Sequence, residues 1–105
     1  MSVVKTLLRE TVRLMKIEPN INTNGVDNLF FALDNCKEAG VATSLTVRTF
    51  ANYGFPIIQT YATIYGIPTR EAVEAVNNHK VTYEDLVCII GIFAQDIKLR
   101  SQYER

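Results

Sequence analysis

Three helix breaks in the second half of the sequence constrain the fold more than any other feature. They are Gly54-Phe55-Pro56, Gly66-Ile67-Pro68-Thr69 and Lys80-Val81-Thr82-Tyr83-Glu84-Asp85. Each break lies between segments in which apolar residues recur at helical spacing, and the last two contain a hydroxyl residue placed to cap the next helix. The breaks therefore predict a series of short helices that ends in a longer one. No segment has the alternating pattern of a β-strand.

The first half of the chain is predicted to contain two more helices. The first runs from Ser2 to Ile17 and the second from Val26 to Ala39, and a polar loop that contains Pro19 separates them. Gly40 follows the second helix, where a helix end favours a left-handed residue. We expect an all-α fold, a single domain over residues 1–105 in which five or six short helices form a compact bundle with the C-terminal helix at its centre.

The apolar spacing also predicts which side chains face the core. For the fourth helix, which begins at Phe55-Pro56, and the fifth, which Thr69 is expected to cap, the predicted core residues are Ile57, Ile58, Tyr61, Ile64, Tyr65, Ala72, Val73 and Val76. The last helix is apolar almost all round, and Gly91 within it is expected to permit a close helix crossing. Phe31 lies off the apolar stripe of the second helix, so it either reaches another layer or is exposed.

The balance of charge bears on the class of partner. Eleven basic and eleven acidic residues give a formal net charge of zero. Proteins that bind nucleic acid usually carry a basic excess, because phosphate neutralisation dominates their affinity. A neutral chain also lacks the long-range repulsion that keeps small proteins apart, which favours self-association. The composition therefore predicts a protein partner, as in a homo-oligomer, ahead of nucleic acid.

Cysteine usage and hydropathy bear on where the protein works. Cys36 and Cys88 lie among apolar neighbours, so both are expected to be buried, reduced thiols, with a disulfide as the alternative. Basic residues interrupt every apolar stretch near the N-terminus. The longest apolar run, Leu86 to Ala94, is too short to span a bilayer. We expect a cytoplasmic protein with no membrane partner.

No grouping of residues in the sequence is typical of catalysis. His79, the one histidine, stands at a predicted helix end, where a structural or surface role is expected. The acidic pairs Glu71/Glu74 and Glu84/Asp85 fit helix surfaces and helix starts better than acid–base chemistry. Nucleophile signatures, glycine-rich phosphate loops and zinc-ligand spacings do not occur in the sequence. We therefore expect no enzyme and no cofactor or metal site.

The first predicted helix carries the candidate contact surface. Its apolar residues cover more than half of its circumference, so it must pack against two neighbours, or against one neighbour and another chain. Its basic residues fall together on the remaining strip, which is either the solvated side or a surface for phosphates or an acidic partner. The predicted partner-binding residues combine both groups: Val3, Leu7, Arg9, Arg13, Leu14 and Lys16.

The segment from Ile58 to Asn77 resembles a DNA-binding helix-turn-helix. Ala62 and Gly66 have the spacing of the small residue and the turn glycine in that motif. Two valines that follow fall one residue later than the usual apolar positions, and the would-be recognition helix has two acids against one arginine. The alternative function is therefore a small DNA-binding regulator that contacts phosphates through Arg70, Lys80 and the basic strip of the first helix.

A longer stretch, from Leu45 to Ile90, is similar to a helical segment of bacteriophage tail tape-measure proteins. Three motifs carry the resemblance, in the order in which that family has them: Phe50-Ala51-Asn52-Tyr53-Gly54-Phe55-Pro56, Tyr65-Gly66-Ile67-Pro68-Thr69 and Lys80-Val81-Thr82-Tyr83-Glu84-Asp85-Leu86. The resemblance implies a phage structural or tail-assembly protein, in the host cytoplasm or the virion, and transfers no catalytic or binding residue. The expected function is thus a non-enzymatic protein–protein interaction or assembly module.

Overall fold

Six α-helices follow one another along the described part of the chain. The computed structural model describes residues 3–15 and 23–103. The helices are α1 (Val3–Leu14), α2 (Thr23–Ala39), α3 (Ser44–Asn52), α4 (Ile57–Tyr65), α5 (Thr69–Asn77) and α6 (Tyr83–Tyr103). Within these residues there is no strand, and one isolated antiparallel bridge joins Val41 to Thr82. The predicted all-α bundle is confirmed.

The C-terminal helix α6 holds the bundle together. It packs against α1 and α4, while consecutive helices from α1 to α5 pack against each other. Aromatic rings link the layers: Phe50 meets Phe55 edge-on with ring centroids 5.6 Å apart, and Phe55 lies 4.9 Å from Phe93 of α6. The radius of gyration is 13.4 Å, close to the value of about 13 Å expected for one folded unit of this length.

Hydroxyl residues cap two helix starts, and the start of α6 is one that the sequence predicted. Thr43 Oγ1 accepts a hydrogen bond from the backbone N–H of Thr46 at 3.3 Å, and the Thr46 hydroxyl accepts one from the N–H of Thr43. Before α6, Thr82 Oγ1 accepts from the N–H of Asp85 at 3.0 Å, and Asp85 Oδ2 accepts from the N–H of Thr82 at 3.1 Å. Both arrangements are capping boxes, which satisfy donors that a helix N-terminus leaves unpaired.

The predicted cap at Thr69 is wrong. Pro68 occupies the N-cap position of α5 in an extended conformation, and no side chain caps this helix. Pro56 likewise stands at the N-cap of α4, one residue before the helix, where a first-turn proline was expected. Proline suits the entry to a helix because it has no N–H to satisfy. A proline therefore precedes both helices, and before α5 it stands in place of the hydroxyl cap that was expected.

The predicted core is too wide in three helices. Ile64 and Tyr65 of α4, Val73 of α5 and Ile92 of α6 are exposed. Periodicity correctly located the buried faces, which include Ile57, Tyr61, Ala72, Val76, Ile89 and Ile90. The extra residues flank those buried faces.

Gly91 does not mark a close helix crossing within the chain. A Cβ placed on this residue would meet no atom within 4 Å. Its role in close packing was therefore wrongly assigned for the single chain. A glycine inside a helix costs about 1 kcal/mol relative to alanine. No contact within the described structure explains why α6 has a glycine at this position.

Candidate interaction surfaces

The apolar face of α1 packs mostly inside the molecule. Two neighbours, α2 and α6, cover it, which is the first of the two alternatives that its width left open. Leu8 is fully buried, and Leu7 is half-buried and packs against the core cluster. Leu14 is also half-buried. Val3 is 83% exposed, so it is the predicted apolar contact residue that α1 leaves free for another molecule.

The basic strip of α1 lies along α2. The Lys5 ammonium is 3.0 Å from Asp34 and 5.6 Å from the ring centre of Phe30. The Arg9 guanidinium lies 5.5 Å from the centre of the same ring. These cation–π contacts attach α1 to α2, so Arg9 serves the fold as well as any partner. Arg13 is exposed, and Lys16 lies outside the described residues.

A groove between α2 and α3 has two exposed apolar side chains at its edge. Phe31 is 69% exposed and Leu45 is 64% exposed. The groove has a volume of about 270 Å³, and none of its lining residues carries a charge; they are Asn28, Phe31, Ala32, Asn35, Thr43, Leu45, Thr46, Thr49, Asn52 and Tyr53. The side-chain amide of Asn28 donates to the Tyr53 hydroxyl at 3.2 Å. The groove can accept apolar or neutral groups.

A second exposed surface runs along α6. Cys88, Ile92, Gln95 and Leu99 are all exposed, and they lie on one side of the helix because they are spaced by four, three and four residues. We call them the α6 outer stripe. Ile92 is 46% exposed and Leu99 is 48% exposed. The two are seven residues apart, so their side chains project from the same face two turns apart.

Ile92 also borders a wider groove between α4 and α6. This groove has a volume of about 620 Å³, and its lining residues are Met15, Gly54, Pro56, Gln59, Thr60, Thr63, Ile92, Phe93, Asp96, Ile97 and Arg100. The outer stripe is thus continuous with an apolar depression. The sequence pattern missed this surface because an almost wholly apolar helix was assumed to be surrounded by its own chain. The exposed apolar pair Ile92 and Leu99, spaced seven apart and off the buried face, was the available signal.

Electrostatic contacts tie the end of α4 to the start of α6. The Tyr65 hydroxyl donates to Asp85 Oδ1 at 2.7 Å, while the other oxygen of this carboxylate caps α6. The hydrogen bond to Asp85, followed by the negative charge of that carboxylate, raises the pKa of Tyr65 to about 12. Burial, followed by the charge of Asp85, raises the pKa of Tyr61.

The two cysteines differ, which corrects the prediction that both are buried. Cys36 is 1% exposed, and burial, with a smaller effect of Glu84, raises the pKa of its thiol to about 11. Cys88 is exposed, and both thiols are free. Because the thiolate is the reactive form, Cys36 is chemically protected while Cys88 is open to reagents.

The helix-turn-helix-like segment forms as α4, a turn at 66–68, and α5, and the two helices pack against each other. Gly66 has φ = 64° and ends α4 in the left-handed conformation. Arg70 is exposed in the first turn of α5, and Lys80 is exposed three residues beyond the end of that helix. The exposed side of α5 also carries Glu71 and Glu74, whose charges repel phosphates and offset the two basic residues.

In residues 3–15 and 23–103 no three His, Cys, Asp or Glu side chains come together in a way that could hold a metal ion. None of the helices in this part of the chain combines the length and the apolar character that crossing a membrane requires. Comparison with known proteins finds no matching family, no similar curated protein and no similar solved structure.

Proposed function

We propose that this chain is a non-enzymatic assembly module that binds other proteins, beginning with copies of itself. The observation that carries the proposal is that exposed apolar side chains share a surface: Phe31 and Leu45 line the α2–α3 groove, and Ile92 and Leu99 lie on one face of α6. Single exposed apolar residues are ordinary, whereas exposed apolar residues grouped on one surface are typical of contact sites. A net charge of zero removes the long-range barrier to association.

The resemblance to phage tail tape-measure proteins suggests the setting in which such a module works. We propose a phage structural or tail-assembly role, with the protein in the host cytoplasm or the virion. The residues that carry the resemblance include the helix ends at Gly54 and Gly66 and the capping box at Thr82. These residues begin or end helices and so serve the fold. The residues that would bind a partner must therefore come from the exposed surfaces.

The test of self-assembly is light scattering coupled to size-exclusion chromatography, over a range of concentrations and at low and high salt. Apolar contacts are insensitive to salt, whereas contacts between exposed charges are screened. We expect a defined oligomer whose mass is unchanged by salt. A monomer at every concentration would contradict self-assembly.

A DNA-binding regulator is the second candidate, because α4 and α5 pack across a three-residue turn with Arg70 and Lys80 exposed. Its test is duplex binding as salt is raised. A steep fall of affinity with salt, reduced in Arg70→Ala, would favour it. An absence of measurable affinity at low salt would remove it. The acids on the exposed side of α5 favour the second result.

A further inference from the structure

We propose that the α6 outer stripe pairs with the same stripe of a second copy, with the two helices antiparallel. The inference rests on the proposed function, since it names the partner and the face through which the module assembles. Three observations carry it: the spacing of the exposed residues, the open space beside Gly91, and the distribution of charge along α6.

The spacing of the stripe fits another helix. Cys88, Ile92, Gln95 and Leu99 alternate by four and three residues, which is the repeat of a helix–helix seam in which side chains of one helix fit between those of the other. The stripe spans about 16 Å at 1.5 Å per residue. A seam of this length belongs to weak interfaces, so the dimer is expected to depend on concentration.

Gly91 adjoins this seam. It is half-exposed, and a Cβ on it would meet nothing in the same chain. A residue without a side chain beside Ile92 lets the backbone of a second helix approach closely. The glycine that no contact inside the chain explains is thereby accounted for by a contact between chains.

Charge selects the antiparallel orientation. Glu84 and Asp85 lie in the first turn of α6, and Arg100 lies in the last turn. Antiparallel pairing sets the acidic first turn of α6 in each copy beside the basic last turn of α6 in the other and sets the two helix dipoles in opposition. Arg100 contacts Asp96 of its own helix at 3.1 Å, an exposed pair that contributes little by itself. Parallel pairing would bring like charges together.

The register follows from the centre of the stripe. If Ile92 lies opposite Gln95 of the second copy, Cys88 lies opposite Leu99 of that copy. The two Cys88 residues are then about 16 Å apart along the helix axis, much farther than the Cα separation of about 4.4–6.8 Å that a disulfide requires. The native thiols therefore do not meet, whereas a cysteine at position 99 would meet Cys88 of the partner copy.

The experiment is oxidative cross-linking of Leu99→Cys with copper phenanthroline, followed by non-reducing electrophoresis. Cys36 is buried and does not react with the oxidant, so only the exposed thiols can form a disulfide between copies. We expect a covalent dimer in Leu99→Cys, little or none in the native chain, and none beyond background when Cys88→Ser is added. Val73→Cys, which places a thiol at a similarly exposed apolar site on α5, is the matched control and should give no more dimer than the native chain.

Each other outcome overturns the inference in a recognisable way. Rapid cross-linking of the native chain through Cys88 would mean parallel pairing. An oligomer seen by light scattering without cross-linking of Leu99→Cys would mean that another face assembles, and the proposed function would stand. A monomer at all concentrations would remove both.

Discussion

His79 is the one non-glycine residue of the described chain with a positive φ, 58°. It follows the end of α5, where its backbone N–H donates to the carbonyl of Val76 and the next N–H, of Lys80, donates to Ala75. This is the left-handed helix end that usually takes glycine. The sequence correctly placed His79 at a helix end, but it could not reveal the sign of φ, because a histidine gives no local signal for it.

Replacing His79 by glycine should stabilise the protein. The left-handed conformation costs a non-glycine residue about 1–2 kcal/mol, and the greater freedom of glycine in the unfolded chain offsets about 0.5–1 kcal/mol of this. We expect a net gain of about 0.5–1 kcal/mol in the free energy of unfolding, measured by urea denaturation. His79→Ala, which lacks a side-chain ring but keeps Cβ, is the control and should show no such gain. Equal stability of His79→Gly and the native chain would contradict the assignment.

The Tyr65 hydroxyl makes the stability of the protein depend on pH at the alkaline end. Its pKa rises from 10.0 to about 12, first because its hydroxyl donates to Asp85. The folded protein therefore holds this proton more tightly than the unfolded chain does. Its contribution to stability is complete below pH 10 and is lost as the pH rises through about 12.

The corresponding prediction compares the native chain with Tyr65→Phe in urea titrations across that pH window. The native chain should lose stability more steeply as the pH rises, because Tyr65→Phe has no hydroxyl to ionise. Lysines also titrate there, so the difference between the two proteins is the quantity of interest. Parallel pH profiles would show that the contact between Tyr65 and Asp85 does not contribute.

At the scale of the helices, the sequence predicted best what depends on neighbouring residues. The cap at Thr82 and the left-handed glycine at position 40 follow from local backbone chemistry, and both form. The exposure of Ile64 and Val73 depends on which helix covers which, information that no local pattern contains. The candidate surfaces therefore had to come from the structure, and the α1 face predicted from the sequence is largely internal.

The caps allow a matched pair of variants. Thr82→Ala removes an acceptor that holds the first turn of α6 and should cost about 1 kcal/mol of unfolding free energy. Thr69→Ala removes a hydroxyl that caps nothing in α5 and should change stability by less than about 0.5 kcal/mol. Thermal or urea unfolding of both measures the difference. Equal losses would mean that the hydroxyl of Thr82 is not the source of the effect.

Gly91→Ala separates the needs of the single chain from those of the assembly. The new methyl group meets nothing in the same chain. At concentrations where the protein is monomeric, the variant's free energy of unfolding should therefore be about 1 kcal/mol higher than that of the native chain. The same methyl group would obstruct a second α6, so self-association should weaken. A variant that gains stability and associates as well as the native chain would disprove a close helix crossing between copies.

At the scale of the whole molecule, a neutral bundle has a core that uses most of its apolar residues and leaves a few aligned on its outside. The core explains why α1, although apolar over much of its surface, is not free to serve as the principal contact. It also explains why a charge at Leu7, which packs against the core cluster, would test folding more than assembly. Val3 and Ile92 are both exposed, so a charge at either site tests contacts with another molecule without disturbing the core.

The measurement that tests the central claim most directly is sedimentation equilibrium of the native chain, Ile92→Glu and Val3→Glu at matched concentrations, with helicity checked by circular dichroism. A charge buried at an interface without a partner is strongly unfavourable. We predict that Ile92→Glu raises the dissociation constant at least about tenfold, equivalent to about 1.4 kcal/mol, while Val3→Glu matches the native chain. A native chain that stays monomeric, or three proteins with the same dissociation constant, would contradict assembly through the α6 outer stripe.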